Sequence, residues 1–280
     1  MSLLSRVLSG TSSFCLNDGT APGAPVGPDD LTELMAHLHP ADPALPAREI
    51  DYPAVAAKLD PARARLYAGL QAFDPLDLVA PEQALAFWIN LYNVLIQDAV
   101  LTFRVRKSVV GATRGFLRFF EKAAYRIGGQ RYSANDIEHG LLRANQGHPY
   151  GKAGQFAAGD VRRRMVLTPM EPRIHFALNC ASRSCPPIRV YAPDHLEAQL
   201  DLTTRSFVDA ETEIQTEPPR LTLSTIFKWY AQDFETGGGV VPFVVAHLSA
   251  SDPRRAFLQA AGDHVRLQYR PYRWDLNRKL

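Results

Sequence analysis

Residues 173–187 read RIHFALNCASRSCPP and bring the imidazole of His175 and the thiols of Cys180 and Cys185 into one short stretch. A cysteine is a nucleophile only as the thiolate, and a nearby imidazolium or helix N-terminus lowers its pKa. His175 and Cys180 stand five positions apart, so a direct pair requires the loop to fold back; Cys185 has comparable reach, and the spacing does not choose between them. Asn179, Ser182 and Ser184 add an amide and two hydroxyls, and Pro186 and Pro187 stiffen the exit. The same residue types also occur in a purely structural setting, where buried cysteine packs as a small apolar residue and histidine bonds within the core.

Two further groups of residues fit this chemistry. Asn90, Asn93 and Gln97 fall at i, i+3 and i+7 of the apolar run EQALAFWINLYNVLIQDAVLTF, forming a polar stripe on one helix face. A buried primary amide without partners costs about 1–3 kcal/mol, so the stripe must meet either a loop backbone or an imidazole and substrate. Amides that orient a catalytic histidine are known among thiol hydrolases. In SANDIEHGLLR, Glu138 and His139 place a carboxylate and an imidazole on one turn, suited to acid/base work. Ser133, with Asp136 three residues on, marks the start of that helix as a capping box. Asp233, in KWYAQDF, is expected to accept structural hydrogen bonds, pairing an arginine or steadying an imidazole.

The main chemical rival is zinc, for which His139, His175, Cys180 and Cys185 are suitable ligand types. Neither C-x-x-C nor H-E-x-x-H is present, and the glycine pairs in GGQRY and GGGVV do not follow phosphate-loop patterns. No cofactor is expected. The 31 basic and 29 acidic residues nearly cancel and are scattered, which argues against a nucleic-acid surface. The expected partner is a small molecule or a peptide.

The elements that position these residues read as α+β. A long buried central helix from Pro81 is expected to pack on a small, mainly antiparallel sheet, with a helical extension on its N-terminal side. Residues 1–28, rich in Gly, Ser, Pro and Ala, read as a flexible arm; 29–280 read as one globular domain, with 29–75 as the extension and 76–280 as the core. Short helices are expected at 29–39, 53–59, 61–72 and 115–122, and a Gly128–Gly129 hairpin joins 125–127 to 130–132. Residues 145–162 read as a flexible loop and 173–179 as a strand, with Ile174, Phe176 and Leu178 on its core face and His175 opposite. Helices at 193–208, 224–229 and 241–248 and strands at 220–223 and 265–269 complete the pattern.

The apolar stretch 84–103 is interrupted by Asn90, Asn93, Gln97 and Asp98, so it reads as a core helix rather than a membrane span. The first residues lack the continuous apolar run of a signal peptide. Three cysteines, an odd number, suit free thiols in a reducing compartment, so a cytoplasmic location is expected.

The segments AFWINLYN, ANDIEHGLLR, RIHFALNCASRSCPP, TIFKWYAQDF and YRPYRWDLN occur in the order found in domain-of-unknown-function family 547, which the chain resembles over 84–277. Arg273 stands where an acidic residue is expected. The resemblance implies no established reaction. Family members include stand-alone bacterial proteins and plant proteins with leucine zippers. Some animal members carry a glutaredoxin module, which associates the domain with thiol chemistry. The resemblance implies an architecture distantly like that of thiol hydrolases, but a papain-type triad does not transfer simply: the central helix has no cysteine, and both cysteines follow His175. Three expectations result. The first is a Cys/His hydrolase or acyl transferase, with Cys180 or Cys185 as nucleophile, His175 as base, and Asn90 or Asn93 as orienter or oxyanion donor. The second is a non-catalytic binding or scaffold domain built on the same polar cluster. The third is a zinc-binding enzyme or zinc-stabilised fold.

Overall fold

Pro81 and Glu82 open the helix that organises the molecule, with proline at a position needing no N–H and a carboxylate at the positive end. The computed structural model describes residues 13–39, 48–110, 118–151 and 153–279. Helices α1 (Pro28–Leu38), α2 (Tyr52–Ala72) and α3 (Pro81–Thr102) pack together, α3 being the central one. Helix α3 is long and apolar enough to cross a membrane, but 89% of its apolar window is buried within the protein. The two helices expected at 53–59 and 61–72 are one continuous α2, with Pro61 inside it.

A short α4 (Arg118–Lys122) leads into the antiparallel hairpin β1 (Ala124–Ile127) and β2 (Gln130–Ser133). Gly128 and Gly129 both take positive φ, as a tight two-residue turn requires. The hairpin meets α3 through its tyrosines: Trp88 packs against Tyr132 at 5.3 Å between ring centroids, and Tyr125 donates to buried Asp98 at 2.7 Å. Residues 111–117 lie outside the description, so the helix expected at 115–122 is seen only from Arg118.

Of the arm expected over 1–28, residues 1–12 lie outside the description; 14–17 and Val26 pack into the protein, and 21–25 are exposed. Phe14, Cys15, Leu16 and Asn17 are buried, and Asn17 exchanges two hydrogen bonds with the backbone of Arg126. Polar side-chain bonding, not apolar periodicity, anchors this segment.

The second half begins with α5 (Leu196–Glu211) and a three-stranded sheet of β3 (Glu213–Gln215), β4 (Arg220–Ser224) and β5 (Arg266–Arg270). The β3–β4 pair is antiparallel and β4–β5 parallel. Helices α6 (Thr225–Trp229), α7 (Val240–His247) and α8 (Pro253–Ala261) complete it. Its core is an aromatic cluster of Phe176, Phe207, Phe227, Phe234 and Phe243, separate from the core around α3. The architecture is α+β, with two small sheets and a long buried helix.

Candidate functional site

The strand expected at 173–179 is instead a 3₁₀ turn, Pro172–Phe176. Pro172 presets φ, and the Glu171 carboxylate caps the turn by accepting from the Arg173 N–H at 3.0 Å. The alternation of faces is lost with the strand: Ile174, His175, Phe176 and Ala177 are all buried. Ile174 enters the α3 core and Phe176 the aromatic core, so His175 lies at the seam between the two.

Helix α3 holds this segment in place. Asn93 donates to the Ala177 carbonyl (3.0 Å) and accepts from the Asn179 N–H (2.9 Å). One turn earlier, Asn90 makes the same pair of bonds with Tyr191, at 2.7 and 3.1 Å. Gln97 Oε1 accepts from His39 Nε2 at 2.7 Å, and its amide nitrogen donates back to the Asn93 carbonyl at 3.0 Å. The polar stripe therefore braces loops: neither Asn90 nor Asn93 bonds His175, and neither lines the cleft described below.

His175 pairs with Asp233 rather than with a thiol, Nε2 lying 2.7 Å from Oδ2. Arg143 grips the same carboxylate through Nε (2.6 Å) and a terminal nitrogen (2.9 Å). Burial pushes the Asp233 carboxyl upward, but the His175 and Arg143 hydrogen bonds outweigh it and hold the group down at about 2. Burial lowers the His175 pKa more than Asp233 restores it, so the imidazole is neutral at neutral pH. Tyr230 stacks on the His175 ring at 3.9 Å and 18°.

Glu138 and His139 lie on a π-helical turn, Asp136–Leu142. Its wide i→i+5 bonds are Arg143 N–H to the Glu138 carbonyl and Asn145 N–H to the Gly140 carbonyl. Gly140 is required there, because a Cβ would meet the Phe156 ring at 2.4 Å. The capping box forms as expected: Ser133 N–H donates to Asp136 and Asp136 N–H to Ser133 Oγ. Glu138 accepts from Tyr92 (2.8 Å) and Tyr230 (2.5 Å). Burial alone would raise its pKa, yet the neighbouring His139 and the two hydroxyls keep it below the usual carboxylate range. His139 itself is held down at about 4 by burial. With that imidazole neutral above pH 4, the tyrosines remain as the principal support for the Glu138 charge. Arg143 donates to His139 Nδ1 at 3.3 Å, which assigns the His139 proton to Nε2.

The two thiols face each other, Cys180 Sγ lying 2.7 Å from Cys185 Sγ, and both are free cysteines. The Cys180 N–H points at Cys185 Sγ (3.0 Å). Ser182 donates to the Tyr272 hydroxyl (2.8 Å), which lies 3.2 Å from Cys180 Sγ and 3.3 Å from Cys185 Sγ. Burial pushes Cys185 up, but the hydrogen bonds it receives, from Cys180 first and then from Tyr272, which Ser182 orients, bring it to about 7. Cys180 is driven well above its ordinary value by its hydrogen bond to Cys185 and by burial. Of the pair, Cys185 is therefore the thiol that ionises first, and Cys180 keeps its proton. The thiolate is supported by neutral donors, not by the imidazolium expected from sequence.

These groups converge on one cleft, with about 100 Å³ open to the centres of water-sized molecules. Glu138, His139, His175, Cys180 and Cys185 all line it, with Tyr92, Tyr230 and Tyr272. Trp229, Tyr272 and Trp274 pack into an aromatic wall, ring centroids 4.6–5.5 Å apart. Among the described residues no three His, Cys, Asp or Glu side chains form a group able to hold a metal ion. Of the four zinc-ligand candidates, Cys180 and Cys185 touch, while His139 bonds Arg143 and His175 bonds Asp233. Nothing in the sequence singles out Tyr92, Tyr230 or Tyr272 as functional; Asp233, expected to pair an arginine or steady an imidazole, does both.

Fold and site define an α+β protein whose aromatic-lined cleft joins paired thiols to a His–Asp pair and a buried glutamate. Residues 76–208 match the model of the family described as Protein of unknown function, DUF547, which supports the resemblance read from the sequence. Tyr230 and Tyr272, which line the cleft, and Asp233, which holds His175, lie beyond the matched stretch. No curated protein and no solved structure matches the chain.

Proposed function

We propose that the protein is a thiol-dependent hydrolase or acyl transferase acting on a small molecule or a peptide end. The observation that carries this reading is the pairing of two free thiols, 2.7 Å apart, with Glu138, His139 and His175 on the wall of one cleft. The nucleophile comes from the Cys180–Cys185 pair; Cys180, the less buried of the two, is the sulfur that meets substrate, with its proton shared across the 2.7 Å contact. His175, oriented by Asp233 as imidazoles in hydrolytic triads are, serves as the proton acceptor or donor. Tyr272 stays protonated, burial raising it well above its usual value, and because Tyr92 and Tyr230 give their protons to Glu138, the Tyr272 hydroxyl is the phenol left to stabilise an oxyanion.

Turnover of aryl esters and aryl thioesters by the reduced protein tests the proposal. Release should exceed that of the Cys180→Ser and Cys185→Ser variants by at least about 100-fold, the order contributed by a nucleophile or acid/base group. Equal release by all three would defeat it.

A second reading, a non-catalytic binding module, draws on a specific observation: His175 spends Nε2 on Asp233, and the amides of Asn90 and Asn93 are consumed by backbone. Under that reading the cysteine variants lose stability in urea without any change in reactivity toward acyl donors.

A further inference from the structure

We propose that Cys180 and Cys185 are a dithiol–disulfide couple that exchanges two electrons with small-molecule disulfides, an activity that does not depend on the acyl-transfer reading. A nucleophile needs one thiol, and here the fold spends several contacts on bringing two together. Ala181 takes the left-handed conformation, φ 65°, which turns the chain back on itself between the cysteines. Cys185 N–H closes the turn on the Ser182 carbonyl at 3.0 Å. The C-terminal segment clamps the loop from outside: Asn277 N–H donates to the Ala181 carbonyl, Arg183 N–H to the Asp275 carbonyl, and Ser182 bridges Leu276. Asn179 Oδ1 collects both the Ala181 N–H (2.9 Å) and the Asn277 amide (3.1 Å). The outcome is a thiol–thiol contact of 2.7 Å, from which closure to a bond of about 2.05 Å needs only a small side-chain adjustment.

The two sulfurs differ in a way that assigns their order of action. Cys180 is partly exposed at the cleft, whereas Cys185 is 3% exposed behind it. Cys180, after passing its proton across the contact, attacks one sulfur of an incoming disulfide RSSR. A Cys180–SR bond forms, the R–S–SR bond breaks and RS⁻ leaves with the electron pair. The proton on Cys185 passes to RS⁻, giving RSH. The Cys185 thiolate, supported by the Cys180 N–H and the Tyr272 hydroxyl, then attacks Cys180 Sγ and expels the second RS⁻. In sum the protein dithiol, carrying one proton, loses two electrons; RSSR is reduced to RSH and RS⁻; charge and atoms balance.

The test uses the full chain, reduced and then exposed to glutathione disulfide. Remaining thiols are alkylated with N-ethylmaleimide before digestion with trypsin. Cleavage at Arg173, Arg183 and Arg189 separates the cysteines into peptides 174–183 and 184–189. The expected result is those two peptides joined by a disulfide, with loss of both alkylatable thiols and full recovery after dithiothreitol. Cys185→Ser should stop at a stable glutathione adduct on peptide 174–183. Alkylation of both thiols after oxidation, a separate glutathione on each peptide, or a link to Cys15 would overturn the proposal. Absence of ester or thioester turnover bears on the hydrolase reading alone and leaves the disulfide result standing.

Discussion

Replacing Tyr272 by Phe removes one hydroxyl from the thiol pair while keeping the ring that packs against Trp229 and Trp274. In the wild type the Ser182 hydroxyl donates to Tyr272, which leaves the Tyr272 proton free to point at a sulfur 3.2–3.3 Å away. A hydrogen bond to a charged group contributes about 1.5–3 kcal/mol. Because this one is shared between two sulfurs, the lower end applies, and about 1.4 kcal/mol corresponds to one pKa unit. The Cys185 thiol should therefore rise from about 7 by about one unit. A thiolate half formed at pH 7 in the wild type falls to about one-tenth in Tyr272→Phe, so alkylation at pH 7 slows about fivefold and becomes equal again above about pH 9. The assay is the pH dependence of iodoacetamide incorporation into peptides 174–183 and 184–189, read by mass spectrometry. Cys15, buried and pushed up to about 11 mainly by burial, is the internal control. An unchanged midpoint in the variant would refute the view that neutral hydroxyl donors hold the thiolate.

Further consequences concern the groups around the thiols. Asp233→Asn leaves Arg143 as a buried, unpaired charge, and urea denaturation should show a loss of about 3–5 kcal/mol. In the wild type the folded Asp233 carboxyl titrates at about 2, below its unfolded value of about 3.9; its contribution is complete above pH 4 and is lost as pH falls through 2, so acid unfolding curves for the variant should lack that component. Asn93→Ala strips the Ala177 carbonyl and the Asn179 N–H of their partner; the expected cost in urea is about 2–4 kcal/mol, and the variant should also loosen the loop carrying Cys180. His139 should show an NMR titration midpoint near 4. Its folded pKa is below the unfolded value of about 6.5, so it withdraws stability as pH falls from about 6.5 toward 4, and a midpoint near 6.5 would contradict its burial.

What the sequence discloses depends on the range of the interaction. Helix α3 and its stripe of Asn90, Asn93 and Gln97 are legible because both follow helical periodicity, and the Ser133/Asp136 capping box is a local exchange of hydrogen bonds. The hairpin is marked by two glycines that the turn demands. At 173–179 the apolar alternation points to a strand, whereas Pro172 and the Glu171 cap impose a tight turn whose residues are divided between two cores. The site itself is only partly local. His175 and Asp233 are 58 positions apart, and Cys185 and Tyr272 are 87 apart. No spacing rule reaches across such separations, and a tyrosine among apolar neighbours looks the same whether its hydroxyl is buried for stability or aimed at a carboxylate. Helix α8 and strand β3 are absent from the sequence reading, although Asp252 caps α8, Pro253 opens it and Gly262 ends it; β3 spans three residues and leaves no comparable mark.

The central claim, that the paired thiols in the cleft act as an acyl-accepting nucleophile, is tested most directly by trapping. Reduced protein is mixed with an aryl thioester, quenched in acid within the burst phase and digested with trypsin. The expected result is one acyl group per chain, carried on peptide 174–183 or 184–189 and absent from Cys180→Ser. An unmodified cleft, or acylation confined to surface lysines and Cys15, would contradict it.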